Sequence, residues 1–213
     1  MPIMPTRRTL LLCLSLLMIC GWSGQPALAQ NGDLPARASH FVDVLGKDAV
    51  AVMATKDLNK TQRIERFRTM LRANFDIPTI ARFVLGRYWN VATPEQQQEY
   101  FRVFEEMVVR SYANRFDTYS GETFHITSSR PEGEHDAFVA TEIHRVNGPP
   151  VNVEWRVRQR DEKLGIIDVV VEGVSMSVTQ RQEFSSVIQS KGGDIASFLV
   201  ALREKNAAMA AAQ

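Results

Sequence analysis

The residues of this chain that could make or break bonds are few, and the most suggestive group is Gly173-Val174-Ser175-Met176-Ser177. It falls one residue short of the G-x-S-x-G elbow, whose glycines allow the sharp turn that lifts a nucleophilic serine above a sheet. Ser177 occupies the place of the second glycine, and no evident histidine and aspartate partners follow, so Ser175 reads as a hydroxyl at a strand end or helix cap. A secreted ester hydrolase acting through Ser175 or a histidine stays open as the enzyme reading, since a triad is assembled in space and not in sequence. The four histidines, His40, His125, His135 and His144, show no H-E-x-x-H spacing, and both cysteines, Cys13 and Cys20, lie near the start of the chain. Gly192-Gly193 stands alone and makes no phosphate-cradling loop. No catalytic residue, metal ligand or cofactor is therefore assigned.

A second concentration of unusual residues is VLGRYWNVATPEQQQEYF, Val84 to Phe101. Its rings, Tyr88, Trp89, Tyr100 and Phe101, surround a helix start: Thr93 can cap, Pro94 suits the first position and Gln96 completes a capping box. Behind it Phe101, Phe104, Val108, Tyr112, Phe116 and Tyr119 recur every three or four residues, predicting a long amphipathic helix that ends near Ser120-Gly121. Local structure aims these rings at something apolar.

The elements that hold them follow from periodicity. Ala36 to Asn74 is helical in two pieces, one with Phe41, Val44, Leu45 and Val52, the other with Ile64, Phe67, Met70 and Leu71 opposite a solvated face of Arg63, Arg66, Arg68 and Arg72. Ile77-Pro78 opens a short helix through Val84. The period then drops to two, and Glu122 to Ser129, Asp136 to Val146, Val151 to Arg160 and Leu164 to Val174 read as four strands of an antiparallel sheet with one wet face. Thr179 to Gln182 is a capping-box pattern ahead of Phe184, Val187 and Ile188, and Gly192-Gly193 ends that helix. A last helix from Asp194 carries Ile195, Phe198, Leu199 and Leu202, and residues 207–213 read as a frayed Ala-rich tail. The expected fold is α+β, with N-terminal helices, a four-stranded antiparallel sheet and C-terminal helices packed on one sheet face.

The ends and the composition place the chain. Arg7 and Arg8 precede an apolar run from Leu10 to Cys20, and Ala27-Leu28-Ala29 has the small-x-small form of a cleavage site, so residues 1–29 read as a signal peptide. The run is shorter than the roughly 20 apolar residues of a membrane span. Lipidation at Cys20 is the lesser reading, because Ile19 stands where a small residue belongs. Cleavage after Ala29 removes both cysteines, so the secreted product relies on its core and not on disulfides. Of 213 residues, 25 are basic and 24 acidic, and two of the basic ones leave with the leader. A near-neutral chain gives no reason to expect nucleic acid. Residues 30–206 suffice for one domain.

The run LGRYWNVATPEQQQEYFRVFEEMVVRSYANRF, the segment GPPVNVEWRVR, and IIDVVVEGVSMSVTQRQEF followed by KGGDIASFLVALR resemble the toluene-tolerance family, over about Phe75 to Leu202. The pattern D-x-x-x-E-G-V-S-M from Asp168 to Met176, together with L-G-x-Y and A-T-P, carries most of the likeness. Leu164 stands where the family often has tryptophan, four positions ahead of the aspartate, which bears on pocket shape and cargo. The best-known members are MlaC-like periplasmic phospholipid-binding components of the pathway that keeps outer-membrane lipids asymmetric. The resemblance implies a periplasmic, monomeric lipid carrier, not an enzyme. It would hold phospholipid tails in an apolar pocket and exchange them with an inner-membrane ABC transporter complex and an outer-membrane lipoprotein complex. Some relatives are associated with hopanoids, so another lipid is an alternative cargo. On that basis the expected tail contacts are Phe83, Tyr88, Trp89, Phe104, Val108 and Tyr112 from the helices, and Val153, Trp155, Val169, Val171 and Met176 from the sheet region. Phe184 and Ile188 would close one side, and Arg82 and Arg87 are the headgroup candidates. Against this stands the plainer reading that an aromatic stripe is ordinary core, in an adaptor module with no cavity.

Overall fold

Strict alternation makes Val151–Arg160 a strand, as expected, and the rest of the sheet is built outward from it. The structure is a computed structural model and describes residues 34–55, 58–113 and 119–212; the leader expected over residues 1–29 and the ring of Phe116 lie outside them. Five strands run as an antiparallel meander in sequence order: β1 (Thr123–Glu132), β2 (Asp136–His144), β3 (Val151–Arg160), β4 (Lys163–Val171) and β5 (Val174–Ser175). The expected fourth strand is thus two. Glu172 and Gly173 both take left-handed backbone, with φ of 48° and 79°, and fold the chain back on itself. Two positive φ values in a two-residue loop suit the twist of a hairpin.

One face of the sheet is apolar and covered. Val139, Val157 and Ile166 are fully buried on it, beneath α1 (Leu34–Ala54), which contributes Leu34, Ala38, Val42 and Leu45. The other face carries Arg130, Phe138, Glu154 and Arg156; Arg130 lies 4.3 Å from the Phe138 ring centroid and bridges Glu154 at 3.1 Å. At its end the buried Asp136 carboxylate takes hydrogen bonds from Arg158 at 2.7 and 2.8 Å and from Arg156 at 2.9 Å. Burial alone would raise the pKa of Asp136. The hydrogen bonds and charges of the two guanidiniums outweigh it and hold the carboxyl below its ordinary value.

The remaining helices form a second layer with its own core. They are α2 (Lys60–Asn74), α3 (Ile77–Leu85), α4 (Pro94–Ala113), α5 (Met176–Ser190) and α6 (Ile195–Ala211), with a 3-10 turn at Gly86–Asn90. Thr93 and Gln96 exchange the two capping hydrogen bonds that the sequence predicts. On α4 the buried positions are Tyr100, Phe104, Met107 and Val109, and the expected stripe through Phe101, Val108 and Tyr112 is only partly buried or exposed. The reason is that α4 is gripped from two sides. Tyr100 and Phe104 meet Phe184 of α5, and Tyr100 also meets Phe198 of α6, while Glu105 and Glu106 receive ion pairs from Arg68 and Arg72 of α2. Those two arginines therefore tie helices together and are not simply a solvated face.

Two helix ends also differ from expectation. The fifth helix starts at Met176, before the Thr179 to Gln182 pattern, because Ser175 already caps it by accepting from the Val178 amide. The last helix continues to Ala211, through the Ala-rich segment expected to fray, and Met209 packs against the helical core. The two layers join along β4, where the Asp76 amide donates to the Ile166 carbonyl at 2.9 Å.

Candidate functional site

Between α1, α2 and the sheet the packing leaves a cavity of about 240 Å³. Its wall from α1 is Val42, Leu45, Gly46, Ala49, Val50 and Met53, one side of a helix turned toward the sheet. Phe67 and Met70 close it from α2, with Phe75 just beyond, and Phe124, Ile143 and Trp155 form its floor. Ala49 stands where a larger side chain would fill the space, and Gly46 lets the Phe124 ring come close against α1. Trp155 is fixed in place by its polar edge, its indole N–H donating to Thr141 Oγ1 at 3.0 Å while that hydroxyl donates to the Val153 carbonyl at 2.9 Å. The ring meets Phe124 edge on, with centroids 6.4 Å apart.

Polar groups enter the lining at one end, through Tyr119, Glu122 and Thr123. The Glu122 carboxylate accepts from the Ser120 amide at 2.8 Å and from its hydroxyl at 3.0 Å. These contacts, the Ser120 amide foremost, hold its pKa below the ordinary glutamate value. The cavity therefore has an apolar body and one charged rim.

Of the residues expected to touch lipid tails, Trp155 lines this cavity. Val169 packs beside it in the sheet core and Val153 is buried within the sheet, while Val171 is half-buried on β4. Phe104, Phe184 and Ile188 are packed in the helical core, with Val108 at its margin. Tyr88 is buried there too, its hydroxyl accepting from Arg87 at 2.9 Å. Met176 opens α5 and contacts the half-exposed Tyr112, whose hydroxyl lies 3.9 Å from its sulfur. Phe83 and Trp89, with Arg82 and Arg87, line a separate groove on the outside of the helical layer. The sequence reading has α1 as a helix but names none of its residues as tail contacts, although the signal was present: an apolar helix face interrupted by Gly46 and Ala49.

The serine that resembled a nucleophile is engaged otherwise. Ser175 Oγ donates to Asp168 Oδ2 at 2.6 Å and accepts from the Val178 amide at 3.1 Å, while Asp168 Oδ1 also accepts from the Val169 and Ser177 amides. This network pins β4 to the start of α5. His125 and His144 pack edge to face with centroids 4.9 Å apart, at the end of the first hairpin. Among the described residues no group of three or more His, Cys, Asp or Glu side chains is placed to hold a metal ion. No described helix is long and apolar enough to cross a membrane.

Three likenesses bear on this site. Residues 45–204 match the family described as "MlaC protein", a span that takes in much of the cavity wall and the helical layer as far as the middle of α6. The intermembrane phospholipid transport system binding protein MlaC of Haemophilus influenzae is 26% identical over 115 residues, 52% of this chain and 54% of that protein. Toluene tolerance protein ttg2D of Pseudomonas putida is 22% identical over 109 residues, 51% of each. The chain thus spans about half the length of the curated relatives it matches. In fold, it superposes with a TM-score of 0.70 on a phospholipid-binding protein of Ralstonia solanacearum solved in complex with a phospholipid, at 24% identity over 84% of this chain and 99% of that one.

Proposed function

From the premise that the chain belongs to the MlaC family, we propose that it is a periplasmic carrier which holds phospholipid tails in the cavity between α1, α2 and the sheet. The observation that carries this reading is the cavity itself, whose body is lined by aliphatic and aromatic side chains with its charge confined to one rim. Exposing a tail to water costs about 0.8 kcal/mol per methylene, or on the order of 10 kcal/mol for a tail of some sixteen carbons. A protein that offers such a tail an apolar wall makes it mobile in water without any bond chemistry. The engagement of Ser175 in capping α5 fits a carrier better than a hydrolase.

The cavity volume of about 240 Å³ lies below the roughly 300–1,000 Å³ of ordinary small-molecule pockets. A two-tailed lipid therefore enters by displacing α1 from the sheet. That movement is plausible in energy, because among the described residues α1 is held to the sheet mainly by apolar contacts, with a long-range side-chain hydrogen bond from Arg37 to Gln159 at 3.0 Å. In the proposed role the loaded protein passes its cargo between an inner-membrane transporter complex and an outer-membrane lipoprotein complex.

Native mass spectrometry of the secreted protein, purified without detergent, tests the reading. A bound phospholipid supports it, and a bound hopanoid keeps the mechanism and changes the cargo. A ligand-free protein that takes up no lipid from vesicles would return the cavity to being a packing defect.

A further inference from the structure

On the side of the helical layer away from the cavity lies an open groove of about 670 Å³ between α3, the Gly86–Asn90 turn and α5. Arg82, Arg87, Arg160 and Arg181 line it, and no carboxylate does. We propose that this groove docks an acidic segment of a partner protein.

The arginines are held ready and not merely exposed. Arg82 lies 5.5 Å from the Trp89 ring centroid, Arg87 4.9 Å from that of Tyr88, and Arg181 5.0 Å from that of Phe83. Stacking a guanidinium on a ring restrains it and leaves edge donors for a carboxylate in a two-point contact, although Arg87 gives one of its own to the Tyr88 hydroxyl. Arg181 is further confined by Gly86, where a β-carbon would stand 2.9 Å from the Arg181 Nε. Arg160 is shared, bridging Asp76 at 3.4 Å and donating to Thr79 at 2.8 Å. Among the described residues Arg82, Arg87 and Arg181 form no salt bridge, so their charge is uncompensated in a chain whose total charge is near zero. The attraction is therefore local to this face.

Shape and composition decide between a protein segment and a membrane surface. The groove is concave and continues past Phe83 and Arg181 into a hollow along α5 that holds Val178 and Gln182 and again no carboxylate. Phe83 is 40% and Val178 42% exposed, so apolar side chains are available beside the charges. Arginine and aromatic residues without lysine or acid are the composition of the energetic centre of protein interfaces. A flat bilayer could not reach into the hollow, whereas an extended segment alternating acidic and apolar side chains fits both parts. None of the groove residues lines the cavity, so the inference does not rest on the lipid reading.

The test is binding of a fluorescein-labelled peptide of alternating Glu and Leu to the full secreted chain, followed by anisotropy at low and moderate salt. The expected result is saturable binding that weakens with salt and falls by about tenfold or more in the double variant Arg82→Glu, Arg181→Glu. That variant should instead prefer a Lys and Leu peptide, with an unchanged circular dichroism spectrum and melting temperature. Equal affinity of parent and variant for the acidic peptide would overturn the proposal. So would binding of phosphatidylglycerol vesicles in place of the peptide, which assigns the face to a membrane, or loss of co-purified lipid in the variant, which assigns the arginines to a headgroup.

Discussion

The ring of Phe124 lies so close to Gly46 that a β-carbon on the glycine would stand 2.7 Å from two ring carbons. Glycine in a helix is ordinarily a weakness, and replacing it with alanine gains up to about 1 kcal/mol. Here α1 and β1 approach each other across a missing side chain. Gly46→Ala should therefore lower stability by about 1–2 kcal/mol, because the methyl forces the ring aside. Pairing it with Phe124→Leu should recover part of the loss, which thermal melts of the four proteins in a double-mutant cycle would read out.

Ala49 sits one turn further along the same wall, half-buried and facing the cavity. Ala49→Trp should occupy the space from the helix side and reduce co-purified lipid severalfold, while far-ultraviolet circular dichroism stays that of the parent. Val153→Trp should behave differently, since Val153 is only 4% exposed and lies within the sheet core; overpacking there costs about 1–3 kcal/mol. If the two variants lose lipid and stability in the same proportion, the cavity is not the binding space.

Asp136 and its two arginines predict an acid dependence with a definite sign. The folded-state pKa of Asp136 is depressed, so its contribution is present above the unfolded value of about 3.9 and is lost as pH falls through the folded one. Asp136→Asn should lower stability by about 2 kcal/mol at pH 7. Urea denaturation at pH 7 and pH 3 should show the gap between parent and variant narrowing at the lower pH. A gap that stays constant would mean that lost packing, and not charge, underlies it.

Ser175→Ala removes both the cap of α5 and the hydroxyl that Asp168 binds. The expected cost is about 1–2 kcal/mol of stability, with ester turnover at the background of the parent. An esterase activity in the parent that vanished in the variant would revive the hydrolase reading.

The elements were legible wherever a residue pattern had one physical meaning. Val151 to Arg160 alternates and is a strand over just those residues, and Thr93 with Gln96 caps α4 as its spacing requires. The start of α5 was misplaced because Thr179 and Gln182 offer a plausible cap, and only the contact of Ser175 with Asp168, seven residues back, decides between the two. The short strand β5 has two residues, too few to show a period. The cavity was harder for a more general reason. An apolar face on α4 and one on α1 look alike in sequence, and what each meets is set by long-range packing. Phe104 and Phe184 meet other rings and fill space, whereas Ala49 leaves it.

The two hydrophobic clusters have separate memberships, with Phe75 and β4 at the seam. Lodging a guest under α1 therefore asks the sheet side to give way and leaves the ring cluster of Tyr100, Phe104, Phe184 and Phe198 as it was. Three of the groove's arginines, Arg82, Arg87 and Arg181, are mounted on that unyielding half, and Arg160 stands at the end of β3. In the proposed role, a docking partner would meet the same face on a laden and an empty carrier, so recognition would carry no news of the cargo. Traffic in one direction would then depend on how strongly each partner itself holds the lipid.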